Sequence, residues 1–104
     1  MLEVLKKLFA GKPAVNYREL AENGALIIDV RSVAEYNAGH IKKSLNIPLN
    51  TISGQVAKLK KANKPVIAVC QSGSRSSMAT GILKRAGIEA YNGGSWYSLQ
   101  NKIA

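Results

Sequence analysis

The chain has one cysteine, one histidine, one tryptophan and one phenylalanine, and only six acidic side chains, among 104 residues. A single thiol cannot close an intrachain disulfide, so no disulfide framework is expected; the usage fits a reducing compartment or a redox-active sulfur. One cysteine, one histidine and no carboxylates at ligand spacing leave no set for a metal site. No apolar run approaches the roughly 20 residues of a membrane span. The stretch Met1-Leu2-Glu3-Val4-Leu5-Lys6-Lys7-Leu8-Phe9 is interrupted by charges and lacks the apolar centre of a signal peptide. These absences predict a cytoplasmic protein with no membrane partner. Basic residues, by contrast, number 15, giving a formal net charge of +9. That balance favours anionic partners in encounter and says little about fold. The densest basic cluster, Lys58, Lys60, Lys61 and Lys64, falls on and just after a helix end, where it suits the helix dipole. No aromatic residues interleave with it, and nucleic acid is not an expected partner.

What is present is an alternation of strand and helix signals sized for one domain. Leu2, Leu5, Leu8 and Phe9 have helical spacing, and Gly11-Lys12-Pro13 breaks that helix. Ala14-Val15 reads as a brief edge strand. Asn16 and Glu19 resemble a capping box, and the helix they open stops at Gly24. Ala25 to Val30 is apolar on both faces, as suits a central parallel strand. Ser32 and Glu35 form a second capping box for a short helix ended by Gly39. Ser44 to Pro48 reads as a strand, and Ile52, Val56 and Leu59 mark the next helix face. Pro65 to Val69 is another buried strand. Met78, Ala79, Ile82, Leu83 and Ala86 then give a helical stripe. Gly81 inside that stripe implies close approach of helix to sheet. Ile88 to Tyr91 reads as the last strand, Asn92-Gly93-Gly94 as a turn, and residues 96 to 103 as a final helix. The fold class expected is α/β: a small open, mostly parallel sheet of four or five strands with helices on both faces.

The stretch Cys70-Gln71-Ser72-Gly73-Ser74-Arg75-Ser76 lies where a buried strand ends and a helix begins. Its small polar residues let the backbone curl and turn N–H groups toward the sulfur. Such a nest, with the positive end of the helix dipole, favours an anion. Arg75 adds a full positive charge. All three effects favour thiolate over thiol, so the Cys70 pKa should lie below the free value of about 8.5 and the residue reads as a nucleophile. Ligands of open α/β sheets bind beyond the carboxyl ends of strands. The stretches at Asp29 to Arg31, Cys70 to Ser76 and Asn92 to Gly94 should meet there. Asp29 and Arg31 pair with each other or with Glu35, and either brace the site or meet substrate. Trp96 either walls the pocket or packs in the core. A general base must reach its nucleophile, and nothing places His40 beside Cys70, so His40 reads as structural.

The Cys70 loop, with Asp29-Val30-Arg31, Glu35-Tyr36 and Gly39-His40-Ile41 upstream, resembles a single-domain rhodanese over residues 17 to 96. The order and spacing of these motifs carry the likeness. It implies one rhodanese-like domain over residues 1–104, with 1–13 as an N-terminal extension. It also implies sulfur transfer from thiosulfate or a persulfide to cyanide or a thiol, a protein thiol included, through a persulfide on catalytic Cys70. Gln71, Ser72, Gly73, Ser74, Arg75 and Ser76 would bind the small anionic donor, with Arg75 orienting it. No metal or organic cofactor is needed, and a monomer is expected. The tryptophan that rhodaneses often carry four residues after the glycine pair is Ser98 here. Two other readings remain open. One is a phosphatase or arsenate reductase of the same fold, although protein phosphatases place five residues between cysteine and arginine and this chain has four. The other is a carrier or binding module that holds a persulfide without turnover.

Overall fold

A computed structural model describes residues 14–104. The expected helix over residues 2 to 10 and its break at Gly11 to Pro13 lie outside these described residues. The two strands with the most continuous apolar runs occupy the middle of the sheet. They are β1 (Leu26–Asp29) and β3 (Val66–Cys70), and every residue of β3 is buried. β2 (Leu45–Asn46) pairs with β1 on one edge, and β4 (Ala90–Ser95) pairs with β3 on the other. All three pairings are parallel, giving the order β2-β1-β3-β4.

Alternation along the strands divides the core into two layers. Ile28, Val66, Ala68 and Cys70 face one side, packed with Ile52, Leu59, Ala79 and Leu83. Ile27, Ile67 and Val69 face the other, packed with Ile41, Leu99 and the partly buried Tyr17, Leu20 and Trp96. The first layer is covered by a 3-10 helix (Leu49–Gln55), by α3 (Val56–Ala62) and by α4 (Ser74–Arg85). The second is covered by α1 (Tyr17–Glu22) and α5 (Trp96–Ile103). α2 (Val33–Ala38) links β1 to β2. This is the expected parallel α/β sheet with helices on both faces. The register matters for the site: Cys70 points to the face that α4 covers, so its sulfur lies beneath the start of that helix.

Several local expectations hold for identifiable reasons. Asn16 caps α1 by accepting from the Glu19 N–H at 3.0 Å, one half of the capping box expected there. Ser32 and Glu35 make a full capping box on α2. Others are corrected. Residues 14 and 15 form no strand, so the sheet has four strands among the described residues. Residues 49 to 55 wind as a 3-10 helix before α3 begins; Gly54 there is a poor α-helix former. Asn92-Gly93-Gly94 is not a turn. β4 runs through it with a bulge, Ala68 pairing with Asn92 and Val69 with Gly94, which leaves Gly93 as the extra residue. A Cβ at Gly93 would stand 2.8 Å from Ile67 Cγ2 and 3.0 Å from Val69 Cγ1. Gly93 is therefore set by close packing on β3, whereas Gly94 has open space around it and a left-handed φ of 78°. Gly81 shows the opposite. A Cβ there would meet only the Arg85 guanidinium, at 3.4 Å, and no part of the sheet; nothing in the structure requires glycine at 81.

These two glycines should respond oppositely to the same substitution. Gly81→Ala should stabilise the protein by about 0.5–1 kcal/mol, by removing backbone freedom from the unfolded chain. Gly93→Ala should destabilise it by about 1–3 kcal/mol through overpacking. Urea midpoints for both variants test this, and shifts of the same sign would contradict the packing account.

Candidate active site

β3 ends on Cys70, and α4 begins four residues later at Ser74. The connection is short because Gly73 takes a left-handed conformation, φ 98° and ψ −7°, immediately before the helix. A side chain at Gly73 would be strained there and would also meet the Gly94 Cα at 3.3 Å. The turn folds the first backbone amides of α4 back over the sulfur. The Gly73 N–H donates to Cys70 Sγ at 3.0 Å and the Ser76 N–H at 3.4 Å. The Ser76 hydroxyl lies 3.3 Å from the same sulfur. Cys70 is 1% exposed and Ser76 is fully buried, while Gln71, Ser72 and Ser74 are exposed at the rim of the loop.

Burial alone pushes the Cys70 thiol up. Hydrogen bonds that the thiolate can accept, from the Ser76 hydroxyl once it turns to the sulfur and from the Ser76, Gly73 and Ser72 N–H groups, outweigh it and hold the thiol below its ordinary value. Arg75 is not one of the groups bonded to the sulfur. Its guanidinium is engaged by Glu35 of α2, with Nη1 donating to Oε1 at 2.7 Å and Nη2 to Oε2 at 2.9 Å. The expected full charge beside the thiolate is thus largely offset by a carboxylate. The Arg75 guanidinium beside it, with the Ser32 N–H and hydroxyl, holds the Glu35 carboxyl down to about 2. The same bond raises the Arg75 pKa above its ordinary value.

Glu35 is therefore not the partner of Asp29 or Arg31. Those two bond each other: Arg31 Nη2 donates to Asp29 Oδ2 at 2.7 Å and Arg31 Nε to Oδ1 at 2.9 Å. Both are buried. Arg31 also donates to the Gly39 carbonyl at 2.6 Å and lies over the Trp96 ring, 4.8 Å from its centroid. Of the two readings of this pair, the geometry gives bracing. Trp96 backs Arg31, and its ring would stand 3.3 Å from a Cβ at Gly39. His40 donates from Nδ1 to the Tyr36 carbonyl at 2.8 Å and stacks on the Tyr36 ring. No group of three or more metal-ligating side chains is assembled among the described residues.

Sequence reasoning placed Ser76 in the loop but missed its hydroxyl, and it missed Asn92 as a side chain of the site. Asn92 Nδ2 donates to the Gly73 carbonyl at 3.1 Å, and the Ser76 hydroxyl donates to Asn92 Oδ1 at 2.6 Å. The stretch Asn92 to Gly94 was expected at the site, but only as backbone; the Asn92 side chain was given no part in it.

Residues 12–99 match the model of the family described as "Rhodanese-like domain". The chain is 31% identical to the thiosulfate sulfurtransferase GlpE of Pseudomonas savastanoi pv. phaseolicola, over 73% of this chain and 71% of that protein. It is 35% identical to YrkF of Bacillus subtilis over 61% of its own length, but spans only 34% of that relative. Among solved structures, the human single-domain sulfurtransferase TSTD1 superposes with a TM-score of 0.64 at 29% identity, covering 90% of this chain and 100% of that one.

Two measurements test the electrostatics. Ser76→Ala should raise the pH midpoint of Cys70 alkylation, and Arg75→Ala should move it less. A larger shift in Arg75→Ala would transfer the anion stabilisation to the guanidinium. Glu35, depressed from about 4.5 to about 2, contributes stability that is complete above about pH 4.5 and is lost as pH falls toward 2. Glu35→Gln should flatten the acid limb of the urea midpoint in that window. An unchanged limb would mean that the Arg75 pair does not support the fold.

Proposed function

The chain belongs to the rhodanese-like domain family, and from that premise we propose that it is a sulfurtransferase whose Cys70 carries the transferred sulfur as a persulfide. One observation carries the reading: backbone N–H groups at Gly73 and Ser76 converge on the sulfur of the chain's single cysteine. In the first step the Cys70 thiolate attacks the outer sulfur of a sulfane donor such as thiosulfate. A new S–S bond forms on Sγ, the donor's own S–S bond breaks, and sulfite leaves with its electron pair. The anionic charge now rests on the terminal sulfur of the Cys70 persulfide. In the second step a thiolate or cyanide attacks that sulfur, and Cys70 departs as thiolate.

In both steps negative charge sits on or next to Sγ. Oriented amide dipoles stabilise it there without rearranging, as an oxyanion hole does for oxygen. The exposed rim residues Gln71, Ser72 and Ser74 would meet the donor. Arg75, paired with Glu35, acts mainly by tying the loop to α2 and leaves only part of its field for an anionic donor. The four-residue spacing from Cys70 to Arg75 also speaks for a single sulfur over a phosphoryl group, which brings three oxygens that each need a donor.

Intact-mass measurement after incubation with thiosulfate tests the assignment. The wild type should gain one sulfur, which a thiol removes, and Cys70→Ala should gain none. Cyanide should turn the loaded protein over repeatedly. Loading that persists in Cys70→Ala would end the proposal. Loading without turnover by cyanide or thiols would replace the enzyme with a carrier.

A further inference from the structure

Ser76 has one hydroxyl proton and stands between two acceptors. Its Oγ is 2.6 Å from Asn92 Oδ1 and 3.3 Å from Cys70 Sγ. The Asn92 amide has only one workable orientation. Oδ1 accepts from the Gly94 N–H at 3.0 Å, and Nδ2 donates to the Gly73 carbonyl at 3.1 Å. A flipped amide would set donor against donor and acceptor against acceptor. Oδ1 can only accept, so the Ser76 hydroxyl is the donor to Asn92. It then has no second proton for the sulfur and turns a lone pair toward it. A thiol satisfies that lone pair by donating its S–H. A thiolate cannot; it needs the hydroxyl to rotate and donate to Sγ. Ser76 is fully buried, so solvent supplies no substitute.

We propose that Asn92 is a positioning residue that acts through Ser76: it holds the Ser76 hydroxyl proton while Cys70 is a thiol and yields it to the sulfur when Sγ becomes an anion. The proposal rests on Cys70 as the sulfur-carrying nucleophile, but its test reads thiol ionisation and not sulfur transfer, so either can fail alone. Asn92 is not stranded when the hydroxyl turns away, because Oδ1 keeps the Gly94 N–H. The loop does not depend on Asn92 for its start, because the Gly73 carbonyl also accepts from the Ser77 N–H at 3.0 Å. During transfer the hydroxyl would follow the charge. It turns to Sγ in the thiolate, returns to Asn92 once Sγ is bonded to a second sulfur, and turns back when the thiolate is regenerated.

The charged and titratable groups around this network are Arg75 on α4, paired with Glu35 of α2, the Asp29–Arg31 pair after β1, and Tyr17 of α1. Tyr17 donates to the Asn92 backbone carbonyl at 3.0 Å. Among the described residues, none of these groups hydrogen-bonds to Cys70 Sγ or Asn92 Oδ1, so the side chain of Asn92 can be changed without removing a partner from them.

The experiment is the pH dependence of Cys70 alkylation by iodoacetamide in the full chain. Asn92→Leu fills a similar volume without an acceptor. It should free the hydroxyl for the sulfur and lower the midpoint, increasing the thiolate fraction below it about threefold, on the order of one neutral hydrogen bond. In a Ser76→Ala background the same substitution should no longer lower the midpoint. Asn92→Asp keeps the shape and presents a stronger acceptor. It should raise the midpoint, and raise it less when residue 76 is alanine. An unchanged or raised midpoint in Asn92→Leu would overturn the proposal, as would equal shifts with and without the Ser76 hydroxyl. Should Asn92→Leu fail to fold, the Asn92→Asp pair decides alone: equal rises in both backgrounds would overturn it.

Discussion

The site depends on a backbone constraint more than on any side chain. β3 must end and α4 must begin within a few residues, on the same face of the sheet, with the helix start directly over the last strand residue. Gly73 makes this possible by taking φ 98° against the Gly94 backbone. Once the chain turns there, the amides at Gly73 and Ser76 have a single buried acceptor in reach, the Cys70 sulfur. The buried strand β3 fixes the sulfur from one side, and α4, packed through Ala79 and Leu83, fixes the amides from the other. The geometry that would stabilise a sulfur anion is thus held by the core itself.

Charge plays a smaller part in the site than in the composition. The chain is strongly basic, yet the one cation in the loop is paired to Glu35 through two short hydrogen bonds. A second pair, Asp29 with Arg31, is buried and backed by Trp96. Removing one member of such a buried pair would leave an uncompensated charge, whereas the intact pair adds rigidity. What remains for an anion at Cys70 is a set of dipoles: the Gly73 and Ser76 amides and the Ser76 hydroxyl. Dipoles suit a group whose charge moves between two adjacent sulfurs, because they need no counter-ion to follow it.

The central strands, the caps at Asn16 and Ser32 and the position of Cys70 were legible because each rests on local pattern: a two-faced apolar run, a capping pair, a polar loop between strand and helix. What was not legible depends on contacts distant in sequence. Arg75 and Glu35 are 40 residues apart, and a basic residue in an anion-binding loop reads as free until its partner is seen. Gly93 and Gly94 read as a turn by composition. Only the closeness of Ile67 and Val69 shows why a bulged strand needs a residue without a side chain there. Asn92 was placed at the site with its stretch, but the hydrogen bond that joins its side chain to Ser76, 16 residues away, has no local sequence signal. Gly81 failed in the other direction, since a glycine with no packing reason cannot be told by sequence from one that has a reason.

The central claim is that oriented amides and the Ser76 hydroxyl, not a neighbouring cation, make the Cys70 sulfur a stable anion. The most direct measurement is a titration of the wild-type thiolate by its ultraviolet absorbance, repeated at low and high salt. The account predicts a midpoint below the free-thiol value of about 8.5, with little dependence on salt, because buried dipoles are not screened as exposed charges are. A midpoint at or above that value, or a low midpoint that climbs to it as salt is added, would contradict the account.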